Sequence, residues 1–427
     1  MNFRLILVFG IFFIHLVSAQ VYDQINDSVD SILDRIPPGT NYSIFAYDPM
    51  TGDTVLARNI NTPMIPASNA KLFTTAAALY YMGMDYKVKT TLYSTDNNIR
   101  DGVIQGDLYI KGHGNPFFSS ADLKKLADEL VDKGVERITG NIYGDESFFD
   151  EEYLRNDWIE GEGAAQLAPV SALSLNGNMT SVKKKVRRRY RTVSAPVSNP
   201  ARHTAQALFD ILINKGVKIG GGSGVGITPE KSTEVATHSL PLSTVLSITN
   251  KRSDNFAAEC LFKMVGAAAS QSQGNATFAN QAILGFLKDN SIFVKGTKIA
   301  DGSGLSRANN VSTLQIVRLL EFMYVDIERY EQYITTLSIA GIDGTLGGRM
   351  HGTDGEGNFR GKTGTLNGIS TVAGYLTTRD GTDLIVSIMF SFSRNGWNYY
   401  RGVQDEIIEA LAGSEFAPTP ASKKTTW

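Results

Sequence analysis

Ser68-Asn69-Ala70-Lys71 places a hydroxyl and an amine three residues apart. On a helix such residues share a face, with Cβ atoms about 5–6 Å apart. A serine hydroxyl is a poor nucleophile until a base takes its proton. A lysine amine can be that base if burial and positive neighbours lower its pKa. The spacing recurs at Ser181-Val182-Lys183-Lys184, inside a basic run with no apolar helix around it. Ser68 instead opens an Ala- and Leu-rich helix after Pro66. A serine there also serves as an N-cap, and this motif alone does not separate the two roles.

Two further motifs follow in order. Ser253-Asp254-Asn255 lies between two helical patterns. A loop there can aim a proton-shuttling hydroxyl and a carboxamide into a cleft, or can simply cap the second helix. Lys362-Thr363-Gly364-Thr365 precedes an apolar strand. It sets a cation and hydroxyls along a strand edge suited to an extended peptide ending in a carboxylate, with Gly364 leaving the backbone open to close approach. Gly361-Lys362-Thr363 mimics the end of a P-loop, but that motif needs glycine at position 356, where Glu356 stands, and a helix afterwards.

Other chemistries lack their residues. The five histidines form no His-Glu-x-x-His pair, which argues against a zinc peptidase, and no Gly-x-Ser-x-Gly elbow occurs. A net charge of −2 gives no field toward nucleic acid. Hydrophobic residues at 42% and charged residues at 20% are ordinary for a globular chain. Cys260 is the only cysteine, so the fold forms without an internal disulfide.

The elements that must position these motifs read as follows. Arg4 and the apolar run Leu5 to Val17, ending in Val17-Ser18-Ala19, predict a signal peptide over residues 1–19 and export to the periplasm or cell-wall space. No later stretch is long and apolar enough to span a membrane. An amphipathic helix carries Ile25, Val29, Ile32, Leu33 and Ile36. Strands are expected at Tyr42 to Tyr47, Thr54 to Arg58, Ile369 to Thr377 and Asp383 to Ser391, and a closing helix at Val403 to Leu411.

The middle differs in texture. Strands at Thr91 to Ser94, Gly106 to Lys111 and Ile138 to Tyr143 alternate with helices at Ala121 to Lys133 and Ala201 to Lys215. Gly220-Gly221-Gly222-Ser223-Gly224 reads as a flexible joint. Lys183 to Arg191, seven basic residues in nine, reads as a solvated hairpin or as a patch for anionic polymer. The expected architecture is one α+β domain (residues 20–90 and 236–415) interrupted by an inserted α/β domain (91–235), with a tail at 416–427.

Together the three motifs make the set used by β-lactamases and penicillin-binding proteins. The sequence resembles the class C low-molecular-mass penicillin-binding proteins, the serine D-alanyl-D-alanine carboxypeptidases of peptidase family S13. Gly112-His113-Gly114-Asn115-Pro116, Ala258-Glu259, Asp301-Gly302-Ser303-Gly304-Leu305-Ser306-Arg307, Gly341-Ile342-Asp343-Gly344-Thr345-Leu346 and Gly361 to Leu366 extend the resemblance over nearly the whole chain.

It implies an antiparallel sheet flanked by helices, with a serine β-lactamase-like cleft between the helix of Ser68 and the strand of Lys362. Ser68 would be the nucleophile, Lys71 the base and Ser253 a proton relay. Asn255 would hold the substrate amide, and Lys362, Thr363, Gly364 and Thr365 the terminal carboxylate. Asp145 and Arg307 would read the ammonium and carboxylate of meso-diaminopimelate, with Leu305 and Leu366 as the apolar wall. Substrates would be peptidoglycan peptides ending in D-Ala-D-Ala, β-lactams would be covalent inhibitors, and no metal or cofactor is needed. The family often nests a further domain inside the insertion, for which residues 91–235 look too few.

Two alternatives stand beside this one. A β-lactamase would carry a Glu-x-x-Leu-Asn motif, but Ala172 precedes Leu175-Asn176 where the glutamate belongs. An inactive wall-binding scaffold would not need the intact trio.

Overall fold

The computed structural model describes residues 21–96, 99, 101–155, 158, 168–186 and 189–416. The expected signal peptide (1–19) and residues 417–427 of the tail lie outside the described residues, as do Arg187 and Arg188 of the basic run. No helix among the described residues is long and apolar enough to cross a membrane.

The chain begins with a helix over 21–33, then strands β1 (Asn41–Tyr47) and β2 (Thr54–Arg58). Asp48 closes the turn between them by accepting from the backbone N–H groups of Met50 and Thr51. A 3₁₀ turn, Ala67–Asn69, leads into the helix Ala70–Met82.

The middle region holds β3 (Lys87–Ser94), β4 (Val103–Ile104), β5 (Leu108–Gly112), β6 (Arg137–Ile138), β7 (Ile142–Asp145), β8 (Met179–Val186), β9 (Arg189–Pro196), β10 (Lys218–Ile219), β11 (Ser223–Val225) and β12 (Thr233–Pro241). The C-terminal part supplies helices Leu242–Lys251, Asn255–Ser270, Ala276–Asp289, Thr313–Tyr324 and Ile327–Ile334. Strands β13 (Ser338–Ile339), β14 (Phe359–Leu366), β15 (Ile369–Thr377) and β16 (Asp383–Ser391) follow, and the helix Trp397–Ala412 closes the chain.

The principal sheet runs β13-β14-β15-β16-β1-β2, antiparallel throughout. Successive strand residues face opposite sides. Val372, Val386 and Ile388 therefore pack with Val29, Leu33, Ile407 and Ile408 of the two terminal helices. Their neighbours Ala373, Ile385 and Met389 face a second core containing Phe73, Leu261, Phe262 and Leu320. Burial on both faces explains why β15 and β16 are apolar runs rather than alternating ones. The helix Ala70–Met82 is buried from Ala70 through Leu79, as expected of a helix apolar on every side.

The middle region has its own core, from Leu92 to Ala236, between the sheet β11-β7-β5-β3-β12 and helices Ser120–Asp132 and Pro200–Asn214. The structure corrects two expectations here. The single strand Ile138 to Tyr143 is two, β6 and β7, in different sheets. Gly220 to Gly224 is no joint: a Cβ on Gly220 would meet the Thr139 carbonyl oxygen at 2.3 Å, and Ser223–Val225 pairs with β7. The glycines admit close backbone packing. The described residues of the basic run lie in an exposed hairpin, β8 with β9, as one of its two readings had it.

Candidate active site

Ser68 sits in the 3₁₀ turn, half-buried, and its side chain caps nothing. The residue before it, Ala67, has φ +48°, an uncommon conformation for a residue with a Cβ. Two close approaches hold it there. Gly304 (φ +84°) lies so near that a Cβ would fall 1.9 Å from the Ala67 carbonyl oxygen. On the other side, a Cβ on Gly364 would lie 2.8 Å from the Pro66 carbonyl oxygen and 3.0 Å from the Ser68 nitrogen. Thr371 on β15 donates to the Pro66 carbonyl at 2.8 Å. Ser68 is thus wedged between the Asp301 to Arg307 loop and β14.

Lys71 is fully buried. Its Nζ donates to Ser68 Oγ at 3.0 Å, Asn255 Oδ1 at 2.7 Å and the Ser303 carbonyl at 2.6 Å. Burial pushes its pKa down to about 8, against the opposing pull of Asp301, Glu259 and Asp254. Asn255 is available because Asp254, not Asn255, caps the helix Asn255–Ser270, accepting from Ala257 N at 2.8 Å.

Ser253 has φ +54°, which turns its hydroxyl toward β14. Lys362 Nζ donates to Ser253 Oγ at 2.8 Å and to the Thr363 carbonyl at 2.7 Å. Lys362 is fully buried, and burial reinforced by the Lys71 charge drives its pKa well down. Its amine is thus engaged with Ser253, and the hydroxyls next along β14 are those of buried Thr363 and half-buried Thr365. Thr363 donates to Thr345 Oγ1 at 2.7 Å, and Thr365 Oγ1 accepts from Arg401 at 3.0 Å. Among the described residues the edge strand β13 pairs only with Arg360 and Gly361, which leaves the edge of the Lys362–Leu366 stretch of β14 without a strand partner there. An open edge is where an extended peptide can add as a further strand.

Leu305 and Leu366 lie in the same buried apolar cluster, and exposed Arg307 donates to the Asn367 carbonyl at 2.5 Å, beside Leu366. These three gather at one rim. Asp145 stands on another element, in the middle region. It is 1% exposed on β7, pairs with Lys111 at 3.2 Å and accepts from the backbone N–H groups of Ser147 at 2.9 Å and Thr228 at 2.8 Å. Burial raises its carboxyl, but the Ser147 and Thr228 hydrogen bonds outweigh this and hold it below the usual value. All these partners belong to the middle region.

Sequence reasoning missed several contributors. Asp301 accepts from Gly304 N, Ser306 N, Asn309 Nδ2 and Trp158 Nε1, which shapes the loop that presents the Ser303 carbonyl to Lys71. Buried Glu259 accepts from Ser303 N at 2.7 Å, and burial together with Asp301 raises its pKa. Both sat in stretches already singled out, without a role. Arg401 lay ahead of the expected start of the last helix. No group of three or more His, Cys, Asp or Glu able to hold a metal occurs among the described residues.

The site combines a serine hydroxyl, a buried amine in contact with it, a second lysine–serine pair and an open strand edge. That is the equipment of a serine acyl-transfer hydrolase, and the fold is that of the penicillin-binding proteins. The crystal structure of penicillin binding protein 4 (dacB) from Haemophilus influenzae superposes with a TM-score of 0.78 at 23% identity, over 90% of this chain and 98% of that one. The sequence profile of the D-Ala-D-Ala carboxypeptidase 3 (S13) family matches residues 25–189 and 185–415, and the chain belongs to that family. It is 29% identical to the D-alanyl-D-alanine carboxypeptidase of Actinomadura sp. strain R39, covering 91% of this chain and 84% of the relative. It is 25% identical to the D-alanyl-D-alanine carboxypeptidase DacB of H. influenzae, over 83% and 86%.

Proposed function

We propose that this chain is an exported serine D-Ala-D-Ala carboxypeptidase and endopeptidase that trims peptidoglycan stem peptides or opens their cross-links through an acyl-enzyme on Ser68. The observation that carries the proposal is the contact of the buried Lys71 amine with Ser68 Oγ at 3.0 Å, at the end of an open strand edge. Lys71 takes the hydroxyl proton as Ser68 attacks the carbonyl between the two D-alanines. Ser253, held by Lys362, returns a proton to the leaving amine. The backbone N–H groups of Ser68 and Thr365 stabilise the oxyanion, where one donor is worth roughly 3–4 kcal/mol. Water then releases the acyl group. The division into a Ser68 domain (20–90 and 236–415) and an insert (91–235) belongs to the same reading, as does placement in the periplasm or cell-wall space.

The test is intact-protein mass spectrometry after incubation with penicillin, paired with release of D-alanine from a D-Ala-D-Ala peptide. A long-lived adduct on the wild type and none on Ser68→Ala supports the proposal. No adduct on the wild type overturns it, and rapid turnover of penicillin makes the chain a β-lactamase instead.

A further inference from the structure

We infer that Arg401, on the closing helix, is the cation that recognises the terminal carboxylate of the substrate; the inference rests on the proposed reaction. The carboxylate-binding edge of β14 has hydroxyls at Thr363 and Thr365, two residues apart and so on one side of the strand. Lys362, next to them in sequence, is fully buried and already donates to Ser253 and to the Thr363 carbonyl. A charge held in that position serves the proton relay and leaves the carboxylate without a direct cationic partner.

Arg401 fills that gap. Its guanidinium donates to Thr365 Oγ1 at 3.0 Å and stacks on the Trp397 ring at 4.0 Å. Stacking fixes the plane of the fork while leaving its edge free to donate. Among the described residues no carboxylate lies within ion-pair distance of Arg401. The nearby Asp405 is taken by Arg349, whose Nε donates to it at 2.9 Å, and Arg349 also donates to the Arg401 carbonyl at 3.1 Å. A half-buried guanidinium with no acidic partner, one bond from a substrate-binding hydroxyl, is matched to an incoming carboxylate. It would bind that group as a planar fork, adding to the hydroxyls of Thr363 and Thr365.

The experiment compares two peptides, one ending in D-Ala-D-Ala and one in D-Ala-D-alaninamide, on the wild type, Arg401→Ala and Arg401→Lys. The expected result is a KM for the free acid raised roughly ten- to a hundred-fold in Arg401→Ala, with kcat changed far less. The amide should lose less than about threefold, and Arg401→Lys should fall between, since it keeps the charge and loses the fork. Thermal unfolding of each variant is measured alongside. Equal losses for acid and amide, with or without a lowered Tm, mean that Arg401 only braces the helix against β14, and overturn the inference. If the wild type releases D-alanine and forms the penicillin adduct yet Arg401→Ala discriminates neither ligand, the reaction stands and only this residue's role falls. If the wild type does neither, both fall together.

Discussion

Lys362 Nζ donates to Ser253 Oγ at 2.8 Å, so the second lysine of the site is bound to the second serine rather than presented to solvent. The pair repeats, across the cleft, the contact of Lys71 with Ser68 at 3.0 Å. In the proposed reaction one lysine–serine pair begins the acyl transfer and the other completes the proton path.

Lys362→Ala should therefore slow acylation by free-acid and amide ligands alike, by roughly 10²- to 10⁴-fold, the range typical of a lost proton-transfer group. Stopped-flow acylation with the two ligand types is the measurement. A loss confined to the free acid would return the carboxylate to Lys362.

The lowered pKa of Lys71 sets the pH dependence. The amine must be unprotonated to accept the Ser68 proton, and its pKa is held at about 8 by burial. Acylation should rise as pH climbs toward about 8 and then level off, falling about tenfold per pH unit below that point. A flat profile from about pH 6 to 9 would contradict Lys71 as the base, as would an active Lys71→Ala variant.

Gly304→Ala tests the wedge under the nucleophile. The new Cβ would overlap the Ala67 carbonyl oxygen at 1.9 Å and strain a backbone at φ +84°. The Ala67–Ser68 turn must shift, and acylation should drop at least about a hundredfold, because displacements near 1 Å carry costs of that size. Penicillin acylation rates report it directly. Near-wild-type acylation would show that the turn does not depend on this contact.

Asp145→Ala should weaken the middle region rather than change substrate choice. Losing the Lys111 pair and two backbone donors costs roughly 2–3 kcal/mol at neutral pH. The Asp145 carboxyl is depressed below 3.8 in the folded state. Its contribution is therefore complete above that value and lost as pH falls through the lower, folded one. Urea unfolding should show wild type and variant separated at pH 7 and converging in strong acid. Substrates with and without a diaminopimelate ammonium should slow equally; a selective loss would give Asp145 back its recognition role.

Much of this was legible in the residues. The trio of motifs named every side chain now found within hydrogen-bond reach around Lys71 and Lys362 except the Ser303 carbonyl, because those groups act through side chains. Ser303 contributes a backbone oxygen, and no residue type announces that. Strands β15 and β16 were readable from end to end, since turn residues bound each run. Helices Ala276–Asp289, Thr313–Tyr324 and Ile327–Ile334 drew no expectation, although Asn275, Ser312 and Asp326 cap their N-termini. Arg401 could not be found by pattern: only the docking of the last helix on β15 and β16 brings it to Thr365. At Asp145 the position was legible in its motif, while its pairing with Lys111 was not.

The pairing of β1 with β16 has a consequence for biosynthesis. The strand that opens the sheet waits for a partner translated some 340 residues later. Helix Ala70–Met82 likewise leaves the nascent chain long before Lys362, so Ser68 exists without its cleft for most of translation. The segment between β3 and β12, with its own core, can condense first and hold the two flanks close, because β3 and β12 pair along their length. Closing the intervening loop early lowers the entropy barrier to the late, long-range pairing. Acylating power thus arrives last, once the final strand has been laid down, and a chain truncated before β16 should accumulate as a folded middle with unfolded ends.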